Sequence, residues 1–405
     1  PFKVEIVTVI RSAFGLLPGI RTLSADGSMK STGLASPARP GQTIVLTGTG
    51  LGYGNEVKAT VAGAPATVIY AGHGPTAGYD TVQVQVPAGT AAGCYVPVEI
   101  AVGESRASSL ISVSADGSPC VHPLSLGLAE LNTLDAGGFV EVAAVSLSSR
   151  LTVTQESTAY REDSARVNVT SYPDSSLGAM FAPVSSGCQE APQFDFATIV
   201  TRSGDFSAFS QSAGPFGDSM ILRNGATSYE LKVGSGGTDY SATFPNARDS
   251  ALTASTPPAI GPGTWTLSWF PSPFFFTSVQ FAVPGPVRMA GGAVLPLRRD
   301  RDQTITWNGN AFGPSASMSL WVTGKARDGF GSRALICTAP AGSGSIAVPV
   351  ALMDGFAAGS LGSIAGTVRV TTATTPAGSV NALTGDRIFF VVSLDSSDSR
   401  VAEFQ

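Results

Sequence analysis

Charge is what this sequence has least of. Charged residues make up 13% of its 405 positions, about half the usual share. The net charge of −5 is spread thinly, and no basic stripe exists to meet a phosphate backbone, which excludes nucleic-acid binding. Histidine is scarcer still, with only His73 and His122. A Ser-His-Asp triad needs a histidine held between nucleophile and carboxylate. His73 lies in the Gly/Pro turn AGHGPT, His122 lies beside Cys120 and Pro123, and no G-x-S-x-G elbow accompanies either. Both are expected at a loop or a module junction, and the chain is expected not to be an enzyme. No apolar run reaches the roughly 20 residues that span a bilayer as a helix; the longest, 346–359, is broken by Pro349 and Asp354. No CxxC or Cys/His cluster occurs, so neither a metal nor a cofactor is expected.

What remains is apolar side chains at 43% of the chain, with a surface left to Ser, Thr, Gly and Asn. Such a surface suits an exported protein. The numbering opens on Pro1 with no signal-like segment, which fits a leader already removed or a trimmed chain. Cys94, Cys120, Cys188 and Cys337 are an even count in a Ser/Thr-rich chain, which favours two disulfides. Of three possible pairings, Cys94–Cys120 is favoured, because one strand-loop-strand unit brings the two together. Cys188–Cys337 follows by subtraction. The alternative is four buried thiols.

The chain is organised around Pro40-Gly41-Gln42-Thr43-Ile44-Val45-Leu46-Thr47-Gly48. Pro40-Gly41 marks a turn, Ile44 and Leu46 alternate as a half-buried strand does, and Gly48, Gly50, Gly52 and Gly54 follow at every second position. Strands are predicted at 43–47, 56–61, 66–70, 80–86, 95–102 and 108–113. Short strands with turns every 8–12 residues are the mark of an immunoglobulin-like sandwich. Before them, Phe2, Val4, Ile6 and Ile10 share one face of a terminal strand pattern, which has two readings. It is the first strand of its own domain, or an arm that completes a sheet in a neighbouring subunit. Residues 120–285 read as a second β region, with a hairpin or meander over 147–169. Residues 286–405 read as a third, with one short helix at 352–358, a last strand at 386–394 and a polar tail.

Three stretches carry a resemblance: PGQTIVLTGTGLG, VAGAPATVIYAG and DTVQVQVPAGTAAGCYVPVEIAVGESRASSLISVS. In this order they resemble the carboxy-terminal domain of Solibacter-type acidobacterial secreted proteins, which is similar to the IPT/TIG branch of immunoglobulin folds. TITWNG, SLWV, ALICTAP and GSIAVPVALM in the third region resemble the same group. The resemblance implies export and β architecture, and transfers no catalytic residue.

The expectation is therefore an all-β protein of tandem immunoglobulin-like β-sandwich domains. It comprises an arm and linker at 1–36, an IPT/TIG-like sandwich at 37–119, a second β domain at 120–285 and a third sandwich at 286–405. Its expected role is an exported structural protein, a cell-surface or extracellular filament subunit that partners itself. The alternative is a monomeric glycan-binding or adhesive protein that uses Trp265, Trp269, Trp307, Trp321 or the Phe274-Phe275-Phe276 run. Scattered carboxylates such as Glu99, Glu141 and Glu190 are expected to be solvated. Asp300 and Asp302, alternating with Arg299 and Arg301, are expected on a self-paired edge, with calcium as the other reading. Asn168-Val169-Thr170 fits the N-glycosylation pattern.

Overall fold

A computed structural model describes residues 15–16, 20–23, 28–51, 56–76, 78–103, 105–156, 158–183, 186–190, 219–234, 239–244, 247–249, 259–272, 275–313, 316–329, 331–374 and 387–405. The protein is mostly β, with 61% strand and 8% helix. It divides into two compact units, 1–139 with 173–183, and 140–172 with 184–405. These differ from the four segments read from the sequence: residues 15–36 belong with the first module, and 140–172 and 184–405 fall in one unit.

The first unit holds β1 (Gly15–Leu16), β2 (Arg21–Leu23), β3 (Met29–Ser31), β4 (Thr43–Thr49), β5 (Val57–Val61), β6 (Ala64–His73), β7 (Asp80–Gln85), β8 (Gly93–Val102), β9 (Ser105–Val113) and the helices α1 (Leu128–Asp135) and α2 (Asp174–Phe181). The strand order is β3-β2-β4-β7-β6-β5-β8-β9, with β1 also on β4. β6 serves both layers of the sandwich. Its first residues, to Ala66, pair with β5 and those from Thr67 on pair with β7, with a register shift between Val68 and Tyr70 just after the change of partner. Ile44, Leu46, Val82, Val84, Val98 and Ile100 alternate inward and form the core, as period-2 patterning requires. Gly41 takes φ +81° and donates its N–H to the Val86 carbonyl at 2.8 Å, which makes the turn into β4.

The second unit holds β10 (Phe139–Val153, whose first residue closes the first unit), β11 (Ala159–Pro173), β12 (Gly187–Glu190), β13 (Ser219–Asn224), β14 (Thr227–Val233), β15 (Asp239–Thr243), β16 (Ala247–Asp249), β17 (Gly263–Ser272), β18 (Phe275–Val283), β19 (Val294–Leu297), β20 (Gln303–Thr306), β21 (Ser317–Lys325), β22 (Ser332–Pro340), β23 (Ser345–Val348), α3 (Val350–Met353), β24 (Leu361–Thr374) and β25 (Ile388–Phe404). Fourteen of its strands form one sheet, ordered β12-β22-β21-β24-β25-β10-β11-β15-β14-β13-β17-β18, with β16 on β11 and β19 on β25. The far end comes back to β24, where the Thr374 hydroxyl donates to the Gln280 carbonyl at 2.8 Å.

Two hydrophobic cores lie inside this unit, one built mainly from 143–283 and one from 287–404. Position 285 therefore marks a change of core and not the edge of a compact unit. The reason is β25. Ile388, Phe390, Val392 and Leu394 fill the first core, and Ala402 and Phe404 fill the second. The expected polar tail after 394 is thus the second half of a strand. Ser396 and Asp398 between the two groups are also buried, because the incoming chain bonds to them. The Val287 N–H donates to Ser396 Oγ and the Met289 N–H to Asp398 Oδ2, both at 2.8 Å. A buried polar side chain is tolerated where it has such a partner.

Candidate functional site

The sequence points to cysteines and histidines, and the first unit brings two cysteines and one histidine, His122, together. Cys94 on β8 is bonded to Cys120, with Cα atoms 5.4 Å apart. Two residues on, His122 is only 2% exposed. Its Nδ1 accepts the Leu124 N–H at 3.1 Å, so Nε2 carries the proton and donates to the Tyr95 hydroxyl at 2.9 Å. Tyr95 donates in turn to Asp174 Oδ1 at 3.1 Å. The Tyr95 and Phe181 rings meet the imidazole edge-on, at centroid distances of 5.6 and 5.7 Å. Burial pushes the His122 imidazolium down to about 4. Burial, reinforced by Asp174, pushes the Tyr95 phenol up, and burial raises the Asp174 carboxyl. Both ring nitrogens of His122 are thus engaged, and no lone pair faces a substrate. The chain of bonds works as a clasp that holds α2 and the 120–124 turn on β8. Leu177 on α2 is fully buried, and Gly178 lies where a Cβ would meet Leu110 and Tyr95 at 2.9–3.4 Å.

α1 is anchored by a similar device. Asp135 accepts the Leu34 and Ala35 N–H groups at 2.7 and 2.9 Å. Both helices escaped the sequence reading. The signals were present: Leu131 and Leu134 at helical spacing before Gly137-Gly138, and Pro173-Asp174 at a helix start. His73 lies 3.5 Å from the fully buried Asp80, whose other oxygen accepts the Leu51 N–H at 3.0 Å. That bond holds Leu51 just after β4.

In the second unit, Cys188 on β12 is bonded to Cys337 on β22, directly opposite in register. Arg400 grips Asp398 with two nitrogens, at 3.0 and 2.8 Å, and donates to the carbonyls of Met289, Gly291 and Gly292. Ser396, Asp398 and Arg400 were missed because the run DSSDSR reads as a solvated tail. Their signal was the period-2 continuation from Leu394 to Ala402 and Phe404.

Trp265, Trp269 and Trp307 are buried, at 1%, 0% and 6% exposure, so they offer no stacking face. Trp321 is half-buried. Phe275 and Phe276 lie in β18, and Phe274 lies outside the described residues. The calcium reading at 300–302 fails: Asp300 pairs with Arg298 at 2.7 Å, and Asp302 accepts the Val350 N–H at 2.8 Å. Among the described residues, no group of three His, Cys, Asp or Glu could hold a metal ion. Among them too, no helix is long and apolar enough to cross a membrane. Glu99 pairs with Arg106, Glu190 with Arg333, and Glu141 accepts from Ser171. Asn168 lies within β11, opposite Asp239. Phe2, Val4, Ile6 and Ile10 lie outside the described residues.

One backbone feature of the first unit completes the picture. β9 ends its sheet. Pro97 on β8 has no N–H, its carbonyl accepts the Ala62 N–H at 2.8 Å, and it stands opposite Leu110. Pro97 therefore turns its polar groups away from β9, and Leu110 turns its own away from β8. Alternation gives Ser108 and Arg106 the same outward direction. Ser112 and Ser114 share it, and Ala38 satisfies them through two 2.9 Å bonds. Among the described residues, no strand pairs with the outer side of 106–110.

Comparison with known proteins identifies the module. Residues 33–115 form an IPT/TIG domain. It is immunoglobulin-like. No curated protein matches the chain. Solved structures similar to it include the I9-I11 tandem from titin, at 9% identity, covering 95% of this chain and 100% of that one, with a TM-score of 0.14. An ICAM-5 D1-D4 ectodomain fragment shows 9% identity, coverages of 91% and 74%, and a TM-score of 0.14. The endo-fucoidan hydrolase MfFcnA4 from glycoside hydrolase family 107 shows 10% identity, coverages of 89% and 42%, and a TM-score of 0.12. Overlap at this level carries no argument about architecture or activity.

Proposed function

We propose that the chain is an exported, non-enzymatic structural protein, a subunit of a cell-surface or extracellular assembly joined by strand-mediated contacts. The observation that carries this reading is the use made of the polar side chains. His122, Asp135, Asp80, Asp398 and Arg400 are each spent on holding backbone in place. The two disulfides suit an oxidising compartment, and the resemblance to Solibacter-type secreted proteins supports export. The alternating Phe2, Val4, Ile6 pattern supplies an apolar strand for a neighbour. Negative-stain imaging of the protein at several concentrations, with and without residues 1–12, tests the reading. Filaments that vanish on deletion are expected; discrete monomers throughout overturn it.

A second reading has one observation in its favour. Ile69, Tyr70 and Tyr79, on the β6–β7 hairpin, are 54%, 43% and 36% exposed, and could serve a monomeric glycan-binding or adhesive protein. Glycan-array binding by the monomer, lost on Tyr70→Ala with Tyr79→Ala, distinguishes it.

A further inference from the structure

We infer that the outer face of the sheet across β21, β24 and β25 binds a neutral polysaccharide chain, with Trp321 as its stacking platform. The inference goes beyond the assembly proposed above and holds for a filament subunit or a monomer alike. Strand alternation defines the face. Met318, Leu320 and Val322 turn into the second core and are 0–1% exposed, so Ser319, Trp321 and Thr323 point the other way. Register carries the face across the next two strands. One row runs Trp321, Ala365 and Ser399, and the row beside it runs Ser319, Thr367 and Ser397. All six are half-buried, and so reach the surface.

Trp321 is the first observation. It differs from Trp265, Trp269 and Trp307, which are buried. Its opposite neighbours are Ile336 on β22 and Ala365 on β24, and Ser319 and Thr323 flank it along β21. Each is smaller than an indole, and the ring stays partly open. Its contact with Ile336 is an ordinary cross-strand pair, but that pair does not account for the hydroxyls on its other side.

Those hydroxyls are the second observation. Ser319, Thr367, Ser397 and Ser399 make no side-chain hydrogen bond among the described residues, whereas Thr323 and Ser363, further along the same face, satisfy each other at 2.7 Å. Neighbouring strands lie about 4.8 Å apart and alternate residues about 6.8 Å apart, a grid on the scale of one sugar ring. Charge is the third. Arg369 and Asp395, in the next row, close on each other through two bonds at 2.7 and 3.0 Å. A polyanion needs open cations, and a protein partner needs an apolar centre to its interface. A neutral sugar chain needs neither. Its C–H faces stack on an indole, and its hydroxyls bond to hydroxyls.

The test uses the full chain and linear oligosaccharides of β-linked glucose, xylose, mannose and N-acetylglucosamine. With the other three tryptophans buried, a sugar on this face is expected to shift the emission of Trp321 in a saturable way. Trp321→Ala is expected to weaken binding at least about tenfold in calorimetry. Thr367→Lys keeps the indole but fills the middle of the face, and the same loss is expected with unchanged melting. Binding that both variants leave intact overturns the inference. Binding lost only with Tyr70→Ala and Tyr79→Ala also overturns it, and moves the sugar to the first unit. Binding confined to an anionic polysaccharide such as alginate, and abolished by salt, overturns it as well. So does failure of every neutral oligosaccharide to bind. None of these results bears on filament formation, which imaging decides separately.

Discussion

The IPT/TIG domain pairs its strands with near neighbours in the chain: β5 with β6, β6 with β7, β8 with β9. The second unit pairs Glu141 with Ile388 in a parallel ladder that runs to Thr152 and Ser399. Its disulfide spans 149 residues, where that of the first unit spans 26. The same chemistry of alternating strands thus yields one module whose sheet is built from strands between residues 15 and 113 and one unit whose sheet is not complete until the last residues arrive. Closing long loops costs entropy before contacts reward it. The second unit is therefore expected to fold later and to depend on its C-terminal strand.

The strongest way to break this contrast is to delete residues 395–405. β25 would lose Ala402 and Phe404 from one core, together with Asp398, which holds the segment entering it. Loss of the whole unfolding transition of the second unit is expected in calorimetry, with the IPT/TIG transition retained. Partial loss, with the first core of the second unit intact, would show that the two cores unfold independently. A narrower cut is Asp398→Ala. It leaves the Arg400 guanidinium and the Met289 N–H without their partner in a buried place. A cost of about 3–5 kcal/mol to that unit is expected from denaturant titration. No change beyond error would mean that water replaces the carboxylate.

Much of this organisation was legible in the sequence, and what was missed has a common cause. Period-2 alternation gave the IPT/TIG strands to within a few residues, because each strand there carries its own buried face and its own turn. The Cys94–Cys120 pair followed for the same local reason. β25 was cut short at Leu394 because Ser396 and Asp398 look solvated until Val287 and Met289 are seen to donate to them. No local rule announces a partner over a hundred residues away. His122 was placed at a junction, but the chain of bonds that joins it through Tyr95 to Asp174 depends on a helix that returns from elsewhere in the chain.

The disulfides sharpen the same comparison at smaller size. In the chain-entropy view, opening Cys188–Cys337 costs about 5 kcal/mol and opening Cys94–Cys120 roughly 3–4. Replacing each pair by serine is expected to lower only the transition of its own unit, with the larger drop in the second. Equal drops, or a drop that crosses between units, would argue against independent stabilisation.

The smallest effect expected is one of pH, confined to the first unit. The imidazole of His122 titrates near 6.5 in an unfolded chain and is pushed down to about 4 by burial. Above pH 6.5 it is neutral in both states and adds no pH dependence. As the pH falls from there toward 4, the unfolded chain takes up a proton that the folded one refuses, so stability declines across that window and levels off below it. The limit is about 3 kcal/mol, at roughly 1.4 kcal/mol for each pH unit. Asp174 works against it: burial raises its carboxyl, so in acid the folded protein takes that proton before the unfolded chain does, which returns part of the loss. In denaturant midpoints measured between pH 7 and pH 4, His122→Gln is expected to flatten the decline of the first unit, and Asp174→Asn to steepen it. A slope that His122→Gln leaves unchanged would place the titrating group elsewhere and reduce the clasp to a packing contact.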